Sequence, residues 1–230
     1  MGKRWLVVLI CVMGLSITRR ADAQVSVWLQ DGTSGFGART GIGVDDSSTS
    51  FNVEGGYSHL GVLDVVVGLT YVMYKNDNAI APDLGAYGGL VGLQYHPLKQ
   101  RAEMPISLGL GVAVPAIKLT SQRLDDAGVS ASAVGVGAGI EAYRFIKLAP
   151  DIGVTPSVAL AYTYRHTSVS NMSGDSVTND DNHFGVSLTS YFGFLGANGT
   201  IYGVAPSLQI GDPISFTLYV GMIWPMHKDH

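Results

Sequence analysis

Ile214, Phe216, Leu218, Val220, Met222 and Trp224 are bulky and apolar, while Ser215, Thr217, Tyr219, Gly221 and Ile223 between them are mostly small or polar. A period of two marks a strand with two unlike faces. The same alternation recurs along the chain. Ile106, Leu108, Leu110, Val112 and Val114 face Ser107, Gly109, Gly111 and Ala113, and Val134, Val136, Ala138 and Ile140 face Gly135, Gly137, Gly139 and Glu141. Counting these stretches from Phe36 to Trp224 predicts ten strands, with eight to twelve as the range because Val25–Gln30 could lengthen the first or form another. Long polar connections are expected at 45–50, 75–84, 118–129 and 169–181, and shorter ones near 60–61, 97–104, 147–153 and 196–199.

The content of the second face decides what surrounds the protein. A soluble barrel would put Lys and Glu there, to meet water. Here it carries Gly, Ala, Ser and Thr, and only 14% of the chain is charged, against about 25% in an ordinary globular chain. The bulky face therefore meets lipid and the small face packs inside. Strands can cross lipid only as a closed ring, because every backbone polar group must be paired there. The predicted fold is all-β: an up-and-down antiparallel transmembrane β-barrel. Tyr71, Tyr74, Tyr87, Tyr95, Tyr162, Tyr164 and Trp224 lie near strand ends, where interfacial aromatic girdles belong.

The first 23 residues read as a cleaved signal peptide. Lys3 and Arg4 precede an apolar run from Trp5 to Ile17, and Ala21-Asp22-Ala23 is a small-residue cleavage site. Cleavage removes Cys11, the single cysteine, so no disulfide or thiolate metal site is expected. It also lowers the formal charge from −4 to about −7, since Lys3, Arg4, Arg19 and Arg20 leave against Asp22. Nucleic acid is an unsuitable partner for so acidic a chain. The expected division is a leader over 1–23, a barrel over 24–225 and a short tail over 226–230.

On these features the chain resembles the small outer-membrane β-barrel proteins of Gram-negative bacteria. The resemblance implies Sec-type export and contact with outer-membrane lipid and lipopolysaccharide. It implies an assembly machinery that reads the last strand, here Phe216–Trp224; six residues, Pro225 to His230, follow that strand. The oligomeric state is left open, with a monomer favoured. It implies a non-enzymatic role as a narrow pore, a surface-binding protein or an envelope-structural protein.

Two groups of residues could carry function. Arg39, Glu54, Asp64, Glu141 and Arg165 fall on the small, inward face, with Arg39 and Glu54 on adjacent strands. Charges there must pair or meet water, as a structural plug or as a charge-selective constriction. His166 and Ser168 share the outward face, with Asp180 further on. Barrel lipid A deacylases carry a similar His-x-Ser stretch, so a His base, a Ser nucleophile and an orienting carboxylate make a lipid A acyl hydrolase the alternative reading. The acidic connections suit either a solvated surface or divalent-cation contact with lipopolysaccharide, without the spacing of a calcium loop. No zinc or phosphate-loop pattern is present, and no cofactor or bound metal is expected.

Overall fold

The computed structural model describes residue 29 and residues 32–75, 84–211 and 213–226. The expected leader, most of Val25–Gln30, and residues 227–230 of the tail lie outside the described residues. The strands are β1 (Ser34–Val44), β2 (Ser48–His59), β3 (Leu63–Tyr74), β4 (Gly85–Leu98), β5 (Ser107–Thr120), β6 (Ser130–Tyr143), β7 (Ile146–Ala149), β8 (Ile152–Ser170), β9 (Ser176–Leu195), β10 (Ile201–Ile210) and β11 (Ser215–Met226). One short helix, α1 (Gln122–Asp126), sits between β5 and β6. Met226, expected to open the tail, is the last residue of β11.

Except for β6 and β7, which both pair with β8, each strand pairs antiparallel with its sequence neighbours, and β11 returns to β1 from Ser34↔Met226 to Val44↔Phe216. β7 continues β6 rather than adding a turn to the ring. Tyr143↔Ser157 and Ile146↔Val154 keep one register on β8. The break between them has a local cause. The Arg144 N–H donates to the Pro156 carbonyl at 3.2 Å, but Pro156 has no N–H to return. The barrel is therefore ten-stranded.

The register also fixes the barrel's dimensions. Following partners from Thr40 through Val53, Leu69, Gly89, Ala116, Val134, His166 and Asp180, then on through β10 and β11, returns to β1 displaced by about 12 residues. With about 3.3 Å per residue and about 4.8 Å between strands, that shear tilts the strands by about 40° and sets a backbone radius of about 10 Å.

So narrow a tube leaves room inside for small side chains and a few large ones. Val53, Leu69, Val91, Val112, Val136 and Phe184 are all exposed on the outer wall. Tyr71, Tyr87, Tyr162 and Tyr164 stand on that wall near the end distal to the chain termini, and Tyr95 and Trp224 near the proximal end. Tyr74 corrects the expected girdle. Its parity is that of Val72, so it points inward, against a buried cluster of Val72, Leu84, Ile117, Leu119 and Val169 at the distal mouth. Leu124 of α1 packs on the same cluster.

Two expected loops are largely strand. The first connection is a three-residue turn, 45–47, because the Asp45 carboxylate accepts from the Ser47 N–H, the Ser47 hydroxyl and the Ser48 hydroxyl. The 169–181 stretch is the crown of a long hairpin: β8 runs to Ser170 and β9 starts at Ser176. β10 stops at Ile210, opposite Val186, so the β8–β9 hairpin projects well beyond its β10 neighbour.

Close strand approach makes some glycines obligatory. A Cβ at Gly221 would lie 2.6 Å from the Ala38 carbonyl oxygen and 2.7 Å from the Arg39 Cβ, neither of which can swing away. At Gly55 the nearest atom would be 3.8 Å off. Gly221→Val is expected to cost about 1–3 kcal/mol in urea unfolding of the detergent-folded protein, and Gly55→Ala less than about 0.5 kcal/mol.

Candidate functional site: packed lumen and projecting hairpin

The five inward charges form separate networks rather than one cluster. Arg39 of β1 stands opposite Glu54 of β2, and its Nε donates to Glu54 Oε2 at 2.8 Å. The guanidinium also lies over the Tyr219 ring of β11, 4.3 Å from its centre, a cation–π contact. Gly41 makes room for that ring, since a Cβ there would meet it at 2.5 Å.

Across the lumen, Glu141 of β6 accepts from Gln94 Nε2 of β4 at 2.9 Å. Beside it, Asp64 of β3 lies 3.5 Å from His96 Nε2, and His96 Nδ1 is 2.9 Å from the Tyr143 hydroxyl. The Asp64 and His96 side chains have no exposed surface. Arg165 is nearer the distal mouth. It pairs with Asp181 directly across β8–β9 and contacts His183 Nε2 at 2.9 Å.

Gln94, His96, Tyr143, Asp181 and Tyr219 complete these networks, and sequence reasoning passed over all five. Parity alone places them inside: Gln94 and His96 alternate with Tyr95, and Tyr143 follows Glu141 by two. Which of them meet depends on register across strands distant in sequence, and the alternation does not carry that.

A wide aqueous channel lined by charges would leave those charges wet. Here the side-chain exposure is 15% for Arg39, 6% for Glu54 and 1% for Arg165. The charges are buried against their partners. Among the described residues, recesses lie beside them, two of which bear on these networks. One is lined by Arg39, Glu54, Tyr191, Tyr219 and several glycines. The other follows β5, β6 and β8 and is lined by Gln94 and Glu141.

On the outer wall of the projecting hairpin, His166 and Asp180 are register partners, and His166 Nδ1 is 2.6 Å from Asp180 Oδ1. The sequence reading expected Asp180 on a loop that would have to fold back. The strands instead bring it opposite His166 directly. The hydrogen bond from His166 holds the Asp180 carboxyl below its ordinary value of 3.8. Lower on the same face, the Tyr162 hydroxyl donates to Asn182 Oδ1 at 2.6 Å. Ser168 shares the face of His166, but among the described residues no hydrogen bond joins them. Successive same-face residues of a strand stand about 6.6 Å apart along it.

Among the solved structures that share the fold are two autotransporter domains. The β domain of the Bordetella autotransporter Brka superposes with a TM-score of 0.56 at 12% identity, covering 84% of this chain and 99% of that one. The translocator domain of the autotransporter NalP from Neisseria meningitidis gives 0.52 at 10% identity, covering 96% and 97%. No protein-family model and no curated protein matches the chain in sequence. The likeness is one of fold: the transmembrane β-barrel of Gram-negative outer membranes.

Two measurements test this geometry. Arg39→Met leaves the Glu54 carboxylate buried without its cation, and is expected to cost about 3 kcal/mol in urea unfolding. Arg39→Met with Glu54→Leu should recover most of that loss. Asp180 has its folded pKa lowered, so its contribution to the hairpin is full above about pH 3.8 and is lost as the pH falls through the lower folded value. Amide exchange at Thr167 and Asn179, whose N–H groups bond across β8–β9 beside this pair, should accelerate in that acidic window, and Asp180→Asn should abolish the pH dependence.

Proposed function

We propose that this chain is an outer-membrane barrel with a sealed lumen, whose working surface is the distal rim and above all the projecting β8–β9 hairpin. It serves as a surface-binding protein rather than a pore. The observation that carries this reading is the pairing and burial of the lumen charges at Arg39–Glu54, Gln94–Glu141 and Asp64–His96–Tyr143. On this reading the termini face the periplasm, and the leader over 1–23 directs Sec-type export. The chain is a monomer whose Phe216–Trp224 segment is read during assembly. The wall around Tyr71, Tyr87, Tyr162 and Tyr164 meets the headgroups of lipopolysaccharide.

Planar-bilayer recording tests the sealed lumen. The purified protein should give no discrete conductance steps. Steps in the wild type that vanish in Arg39→Ala would overturn the reading in favour of a charge-selective pore.

The acyl-hydrolase alternative draws support from one contact, His166 Nδ1 to Asp180 Oδ1 at 2.6 Å, which orients an imidazole as a base requires. It also needs Ser168 to reach that imidazole. Lipid A from cells making wild-type protein, Ser168→Ala protein or an empty vector should give three identical acyl patterns by mass spectrometry. Loss of an acyl chain in the wild type alone would establish the enzyme.

A further inference from the structure

The projecting hairpin has one strand edge with no neighbour. β9 is paired with β8 along its whole length, from Ser176↔Ser170 to Phe194↔Ile152. Its pairing with β10 ends at Val186↔Ile210. Among the described residues, nothing pairs with the β10-facing side of Ser176 to Gly185.

The backbone groups on that edge can be named. The Asn171 N–H donates to the Asp175 carbonyl, and the Leu195 N–H to the Asp151 carbonyl. Both pairs lie on the β8–β9 register, so odd-numbered β9 residues bond towards β8. Even-numbered ones turn away. The N–H and C=O groups of Ser176, Thr178, Asp180, Asn182 and Phe184 therefore point at the open edge.

Exposed edges are ordinarily blunted by proline, lysine, a bulge or an inward charge. From Ser176 to Gly185 there is no proline and no lysine, and the register with β8 is unbroken. Of the two charges there, Asp180 pairs with His166 on the outer face, and Asp181, though inward, is held by Arg165 of β8. The edge is a regular template.

We infer that this edge receives an extended, cationic segment of another protein, which adds as a strand to β9. Backbone hydrogen bonds would supply the affinity and side chains the selectivity. The charge requirement comes from the hairpin: between Arg165 and His183, Asp175, Asp180 and Asp181 outnumber the single Arg165. A second copy in the same membrane does not fit. Two barrels related by an axis along the membrane normal would present β9 strands crossing at about 80°, twice the tilt, too far apart in direction for a ladder. Their aspartates would also meet like charge.

The inference deepens the surface-binding reading and rests on it, and its test is independent of conductance. The probe is an acetylated decapeptide, Lys-Thr-Val-Thr-Lys-Val-Thr-Val-Lys-Thr, added to the intact protein in phosphatidylcholine nanodiscs. Amide exchange at Thr178, Asp180, Asn182 and Phe184 should slow at least tenfold, with little change at odd-numbered positions. A peptide N-methylated at alternate residues, or one with Glu for Lys, should protect these amides at least tenfold less. Thr178→Pro removes an edge N–H without breaking a bond to β8 and should weaken peptide binding about tenfold, while Thr178→Ala should not. Binding that survives both N-methylation and Thr178→Pro would overturn strand addition. So would a lack of protection in a wild-type protein whose hairpin amides otherwise exchange as a folded strand. Protection that rises with protein concentration alone, without peptide, would replace the partner segment with a second copy. A protein that conducts ions but shows the edge protection would refute the sealed lumen and leave this inference standing.

Discussion

Closure of the ring between β1 and β11 is the constraint on which everything else depends. A strand in lipid has no water to satisfy its N–H and C=O groups, so each must find a partner in another strand. The pairing from Ser34↔Met226 to Val44↔Phe216 removes the last open edge within the apolar band. Once the ring closes on ten strands, its shear and tilt are fixed, and with them the width of the tube.

That width explains the interior. A backbone radius of about 10 Å holds a packed core, and the inward face is built to fit it. Glycines at 41 and 221 sit where a β-carbon would strike a facing strand or ring. The larger inward residues, Arg39, His96, Tyr143, Tyr191 and Tyr219, interlock in the space that remains. Their polar atoms meet across strands, because a buried charge in a low dielectric is tolerated only with its partner.

Where the strands leave the band, the same logic relaxes. At the distal end β3, β5, β6 and β8 carry a second, apolar cluster on their inner face, with Leu124 of α1 packed on it. That cluster supports the walls on which the β8–β9 hairpin rises. Because the short side of the rim ends at Val44 and Ile210, the hairpin stands with one edge exposed to solvent. An open edge is forbidden in lipid and permitted above it, so the one place where the barrel can offer unpaired backbone is also the place where a partner can reach it.

The sequence by itself determined the fold class and which face meets lipid, and centred the strand count on ten. Those properties depend on period-two alternation, which is strong wherever one face is apolar and the other small. The alternation weakens where both faces meet water. Thr178, Asn179, Asp180, Asp181 and Asn182 are polar on both sides, so the upper half of the hairpin looked like a loop, although Val169, Val177 and the threonines favour a strand. Parity put Arg39, Glu54, Asp64, Glu141 and Arg165 inside; only its place near a strand end assigned Tyr74 to the girdle, although its parity, that of Val72, turns it inward. Tertiary structure alone decided the partners. Register, shear and ring closure bring Tyr219 beneath Arg39, and His96 between Asp64 and Tyr143, across separations in sequence that no local pattern encodes. They also leave β9 standing past the end of β10, because strand lengths around a tilted ring need not match once the chain has left the membrane.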